Sequence, residues 1–344
     1  MKLKKRFSIG LGDLKTNQAD PETPFRGAKP VAPTSEPNVA SDPRVFELVR
    51  PSLGGIEVEV MSYVEGESDL RPLLILNSIE FPMPPSVSFC ETMKQNGLRV
   101  VFIRRLGFGG TPGLPHVLLS RRNIDNGAAC ITEASIIAKT IKALDLKSVV
   151  LLGVGSANSL CYRLSCMSSE IALSIFSNPV FNQDSWVGFR PAWFRAVLRQ
   201  TVMTKCAFWI GAKGLKFHLQ KDPVSFFHQM LSKSLSDQQY LAENAKDFLA
   251  ASKYMRRVEP ETFFYDLSMS LRIDGFLKDR FFENLPAVAL VGPETTAHWI
   301  KRTKSEAERL DIPIVHAPRG GMLVAYLCPD TILEIIAARS VACK

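Results

Sequence analysis

Gly153-Val-Gly-Ser-Ala-Asn158 stands directly after the apolar run Val149-Val-Leu-Leu152. A glycine turn that opens a helix gathers backbone N–H groups where an anion can sit. Gly153-x-Gly155-x-x-Asn158 therefore reads as a dinucleotide fingerprint whose third glycine is replaced by asparagine, with Glu170 as the acidic residue for a ribose hydroxyl. It follows the third core strand, not the first strand of a βαβ unit. Ser156 in the same turn carries a hydroxyl, and its ordinary task is to cap or open the helix over 157–166. Asn77-Ser78 closes another apolar run and offers groups that bind a carbonyl or an amide. His116, His218 and His228 have no partners at metal-ligand spacing. Cys90, Cys130, Cys161, Cys166, Cys206, Cys328 and Cys343 are scattered, mostly in apolar segments, and read as reduced core thiols. No metal and no cofactor is expected.

The elements that must hold these residues follow from hydropathy. Val45–Val49 and Ile56–Val60 alternate with period two around Gly54-Gly55, an antiparallel pair with one wet face. Pro72–Leu76, Arg99–Ile103, Val149–Leu152, Ile171–Val180, Ala287–Val291 and Ile312–Val315 are continuous apolar runs of strand length, the mark of strands covered on both faces. Helical stretches lie between them at 86–96, 131–145, 157–166 and 296–310, with a last one at 329–338. Alternation of this kind requires a mostly parallel sheet with helices on both faces. Between residues 184 and 282 it stops. That block holds helical stretches at 191–203, 205–219, 223–232, 237–249 and 260–271, and no buried strand.

This order resembles the α/β-hydrolase fold, and three segments carry the resemblance over residues 43–344. Arg104-Arg-Leu-Gly-Phe-Gly-Gly-Thr111 looks like the Asp-x-Arg-Gly-x-Gly-x-Ser loop after the fourth strand. Val149–Asn158 looks like the strand and nucleophile elbow, and Gly320-Gly-Met-Leu323 with Pro329-Asp330 looks like the Gly-His loop and the start of the last helix. The resemblance implies an eight-stranded, mostly parallel sheet, with core segments 43–183 and 283–344 and a helical cap over 184–282. It also implies a Ser-His-Asp triad, and here the residues depart from the pattern. Gly155 stands at the nucleophile position, Gly321 at the histidine position and Thr295 at the acid position. Thr295 or Thr296 has a helix to cap. Loss of a triad nucleophile or base lowers kcat roughly 10⁶-fold.

The resemblance thus implies a hydrolase-fold protein without ordinary Ser-His-Asp catalysis, serving as a small-molecule-binding, signalling or scaffolding module. The alternative is a serine hydrolase acting on an ester or amide of an apolar acid with displaced groups. Ser156 is then the nucleophile, His316 or His298 the base, Glu294 the orienting acid, and Asn77, Ser78 and Ser156 the oxyanion or ligand-binding donors. Asp184 marks either the acid position of some relatives or the start of the cap. A dinucleotide-binding protein is the third reading. Aromatic residues of 184–282, among them Trp186, Phe189, Trp193, Phe194, Phe208, Trp209, Phe217, Phe226, Phe227, Phe263, Phe264 and Tyr265, would give the cap an apolar underside for an apolar small molecule.

Composition sets the outer limits. The chain has 344 residues, 46% of them hydrophobic and 22% charged, which fits a folded globular protein. Seven Lys/Arg against three acidic residues in 1–30 account for half of the net charge of +8, on a Pro-rich stretch over 1–42 without apolar periodicity. That stretch reads as a flexible, basic extension. No recognition pattern for nucleic acid, no transmembrane run and no secretory signal is present, so a cytoplasmic protein is expected.

Overall fold

The structure is a computed structural model that describes residues 46–50, 52–53, 56–63, 69–115, 118, 127–179, 213–214, 217, 221–249, 258, 261–262, 265–266 and 286–342. The expected extension over 1–42 lies outside the described residues, as do Asp184, His116, His218 and most of the expected cap.

Ten strands are described: β1 (Phe46–Val49), β2 (Ser52–Leu53), β3 (Ile56–Glu57), β4 (Val60–Tyr63), β5 (Arg71–Leu76), β6 (Leu98–Ile103), β7 (Val149–Gly153), β8 (Ile171–Ser177), β9 (Ala287–Val291) and β10 (Ile314–His316). The main sheet runs β1-β4-β6-β5-β7-β8-β9-β10. Every pairing from β6 to β10 is parallel, while β1 and β4 run antiparallel at the other edge. The helices are α1 (Val87–Gln95), α2 (Ala128–Ala143), α3 (Asn158–Met167), α4 (Pro223–Met230), α5 (Leu235–Glu243), α6 (Ala297–Leu310), α7 (Val324–Leu327) and α8 (Pro329–Ala342).

One expectation is corrected at the edge. Of the expected partner 56–60, β1 meets only Val60, opposite Val49; the rest of its pairing is with Met61–Tyr63 of β4, Phe46 opposite Tyr63, while β3 pairs with β2 in a separate small sheet. The strand continues past Val60 because Met61, Ser62 and Tyr63 are all buried, a pattern that does not alternate and so gave no period-two signal. For the same reason β4 has no wet face.

In the centre, the pleat sends alternate residues to two cores. Leu73, Ile75, Val100, Phe102, Val150 and Leu152 pack with α1, α7 and α8 on one face. Leu74, Leu76, Val101, Ile103, Val149 and Leu151 pack with α2 and α3 on the other. Phe227, Leu231, Tyr240, Leu241 and Phe248, from the segment expected to form the cap, join the first of these cores. Side chains start the helices: Ser86 accepts from the Phe89 N–H, Asp222 from the Ser225 N–H and Ser234 from the Asp237 N–H. Among the described residues no helix is long and apolar enough to cross a membrane.

Leu151 is fully buried in the middle of this sheet. Leu151→Ala is expected to lower stability by about 2–5 kcal/mol through lost burial and a residual cavity, read as a lower urea midpoint at unchanged slope.

Candidate functional site

The turn after β7 forms where the sequence allows a left-handed residue. Val154 is extended, Gly155 has φ +56°, and a short 3₁₀ turn over Gly155–Ala157 leads into α3. Asn158 fixes this turn by donating to the carbonyls of Gly155 at 3.1 Å and Ser177 at 2.9 Å. A Cβ on Gly155 would lie 2.7 Å from Glu80 Oε2 and 3.0 Å from Ser78 Oγ. The place of an elbow side chain is therefore filled from the loop after β5.

Ser156 is the centre of what surrounds it. Its Oγ lies 2.9 Å from Glu80 Oε2 and 2.5 Å from Asp266 Oδ2, and it accepts from the Ile79 N–H at 3.2 Å. Its own N–H donates to Glu80 Oε2 at 3.1 Å. Asp266 is fully buried and ion-paired with Arg105, which is only 1% exposed. Arg105 also donates from Nε and Nη2 to Glu133 at 3.2 and 3.3 Å, and Glu133 accepts from the Tyr265 hydroxyl at 2.8 Å and from the Leu106 N–H at 3.2 Å. Four segments distant in sequence thus meet beneath one hydroxyl.

Among the described residues, no histidine is a partner of Ser156. His316 ends β10 and is exposed, three strand positions from β7, about 14 Å at the usual spacing. His298 lies in the first turn of α6, and its Nε2 is buried with no hydrogen-bond partner among the described residues. The expected pairing of Ser156 with either imidazole is corrected accordingly. Glu294 orients neither of them. It accepts from Ser234 Oγ, from the N–H and Oγ of Ser236, and from the Gly320 N–H.

The positions expected for the histidine and the acid are also filled. A Cβ on Gly321 would lie 2.8 Å from Asp237 Oδ2, and that carboxylate accepts the N–H groups of Gly321, Met322 and Leu323 at 3.0, 2.7 and 3.3 Å. Burial pushes the Asp237 carboxyl above its ordinary value, against the pull of those three N–H groups. Thr295 does not cap α6; its hydroxyl donates to Asn178 Oδ1 at 3.2 Å, and Thr296 occupies the N-cap without a side-chain bond. Asn178 also donates to the Gly321 carbonyl at 2.7 Å, which joins the loops after β8, β9 and β10.

Of the expected oxyanion donors, Asn77 accepts the Arg105 N–H on Oδ1 at 2.7 Å, while its buried Nδ2 is unused among the described residues. Ser78 Oγ accepts the Phe81 N–H at 3.1 Å. The dinucleotide reading fails on charge and on place. Glu80 puts a carboxylate where a phosphate would go, and the Glu170 carbonyl accepts from Val149, at the opposite end of β7 from the turn. Of the described aromatics, Phe227 stacks on Phe81 and meets Phe248 edge-on and Tyr265 is buried beside Glu133, whereas Phe217 is exposed. Trp186, Phe189, Trp193, Phe194, Phe208, Trp209, Phe263 and Phe264 lie outside the described residues. Among the described residues, no group of three or more His, Cys, Asp and Glu is placed to hold a metal.

Sequence reasoning missed Glu80, Asp237 and Asp266. Glu80 stood two residues from the Asn77-Ser78 pair, and Asp266 followed directly on the aromatic run Phe263–Tyr265.

Burial opposes the charge of Glu294, but the bonds from Ser236, Gly320 and Ser234 outweigh it and hold the carboxyl at about 2, against an ordinary 4.5. Its charge therefore stabilises the fold fully above pH 4.5, and that contribution disappears as the pH falls to about 2. Glu294→Gln should melt below the wild type at neutral pH, with the gap closing across that acid range.

No family model matches the chain, and no curated protein does. Solved structures match along most of it. An epoxide hydrolase, Cif, from Acinetobacter nosocomialis superposes with a TM-score of 0.60 at 14% identity, over 86% of this chain and 88% of that one. A bromoperoxidase from Bacillus anthracis gives 0.56 at 15%, over 86% and 99%. The esterase EaEST from Exiguobacterium antarcticum gives 0.53 at 15%, over 85% and 97%. At such identities the likeness is one of architecture, and it agrees with the strand order and the turn after β7: the chain has the α/β-hydrolase fold.

Proposed function

We propose that the chain hydrolyses an ester or amide through Ser156, with carboxylates in place of the usual imidazole. The observation that carries this reading is the contact of Ser156 Oγ with Asp266 and Glu80 at the tip of the turn after β7. A hydroxyl becomes a nucleophile when a base within hydrogen-bond reach takes its proton as it attacks, and a carboxylate is such a base. That the similar solved structures include an esterase and an epoxide hydrolase is in keeping with the class of reaction. An apolar acyl group is the substrate class that an aromatic-rich cap over 184–282 would accept.

A second reading has its own observation. Glu80 occupies the Ser156 N–H, the donor on which a substrate oxyanion would depend. With glycine at 155 and 321 and threonine at 295, Ser-His-Asp chemistry has no partners left. A protein built this way would bind a small apolar molecule without turning it over, as a binding, signalling or scaffolding module.

An alkyl fluorophosphonate separates the two. Hydrolysis through Ser156 predicts one covalent adduct per chain by intact mass, its loss in Ser156→Ala, and a fall of about 10³-fold or more in p-nitrophenyl ester hydrolysis. The binding reading predicts no adduct in either protein.

A further inference from the structure

We propose that Asp266, and not Glu80, is the base that takes the Ser156 proton; this rests on the reading of Ser156 as nucleophile. Both carboxylates touch the same oxygen, so proximity alone does not choose between them. What chooses is how each is held and what else it blocks.

Asp266 is fully buried, with Oδ2 2.5 Å from Ser156 Oγ and Oδ1 on the Arg105 guanidinium. Arg105 cannot turn away, because Glu133 holds its Nε and Nη2, and Glu133 is held in turn by Tyr265 and the Leu106 N–H. One oxygen of Asp266 is therefore clamped, and the other is aimed at the hydroxyl. A nucleophile, a base in reach and a third group that orients the base is the arrangement covalent catalysis needs.

Glu80 is only partly buried; its Oε2 accepts the Ser156 N–H and lies 2.9 Å from Oγ, whose single proton cannot go to both carboxylates. As Oγ attacks a carbonyl, negative charge grows on the substrate oxygen, and a free N–H beside it lowers the barrier; the Ser156 N–H can serve only once Glu80 gives it up. A carboxylate already there repels that charge. Glu80 has to leave when substrate enters, and a group that has left cannot take the proton.

The step balances without a further reactant. The Oγ–H proton passes to Asp266 Oδ2 as the bond from Oγ to the acyl carbon forms. The tetrahedral adduct collapses, the bond to the alcohol or amine breaks, and the leaving group takes the proton from Asp266. Water then attacks the acyl-serine, gives its proton to Asp266, and Ser156 regains one as the acid departs.

The test is the rate at which the full-length chain reacts with an alkyl fluorophosphonate, followed by intact mass. In that reaction the Oγ–P bond forms, the P–F bond breaks and fluoride leaves. Asp266→Asn keeps the size and one acceptor oxygen but cannot take a proton, so its rate should fall about 10²- to 10⁴-fold. Glu80→Gln removes the repelling charge, so its rate should rise above the wild type. Circular dichroism and melting establish that each variant is folded, and if Asp266→Asn is not, Glu80→Gln decides alone. Labelling of Asp266→Asn at the wild-type rate, or a fall in Glu80→Gln, overturns the assignment while Ser156 stands as nucleophile. Absence of labelling in both the wild type and Glu80→Gln overturns the nucleophile reading and this inference with it.

Discussion

A guanidinium taken out of water alone loses several kcal/mol of hydration, and only well-placed carboxylates restore it. Arg105, 1% exposed, is in that position, and the neighbourhood of the site is arranged around it. Glu133 comes to it from α2 and Asp266 from the described pair 265–266, so three distant parts of the chain are fixed relative to one another by a single cation. Its backbone N–H is tied to Asn77, which fixes the end of β5 as well. Ser156 stands at the end of this chain of bonds. Remove the guanidinium, and two fully buried carboxyl groups lose their common partner.

The glycines at the positions expected for the nucleophile and the histidine follow a second constraint. A loop tip whose N–H groups point inward needs acceptors for them, because a buried donor without an acceptor is costly. An apolar filler would leave them stranded. Carboxylates satisfy them: Glu80 takes the Ser156 N–H, and Asp237 takes those of Gly321, Met322 and Leu323. Filling of this kind satisfies the turn without altering its backbone.

This also explains what was legible in the sequence. β5, β6, β7 and β9 read clearly because a strand buried on both faces is a continuous apolar run, and Gly155 occupies positive φ in the turn that the glycine pattern marked. β4 did not read, since a strand buried at every residue but containing Ser62 neither alternates nor forms an apolar run. The site was half legible. The turn and Ser156 belong to a local pattern, whereas Glu80 and Asp266 reach Ser156 across 76 and 110 residues of chain. A carboxylate in a polar loop has the same local signature whether it faces solvent or a buried hydroxyl, and only the fold distinguishes the two.

The charge count around Ser156 narrows the ligands that any reading of the site can accept. Among the described residues, Glu80, Asp266 and Glu133 set three carboxyl groups against the Arg105 guanidinium within one hydrogen-bonded cluster. A phosphate or a free carboxylic acid brought to the Ser156 N–H would meet this field in a setting with little water to screen it. A neutral carbonyl would not. The same asymmetry that removes the anion-binding reading of the glycine turn therefore favours an uncharged ester or amide, or a neutral apolar ligand, at its tip.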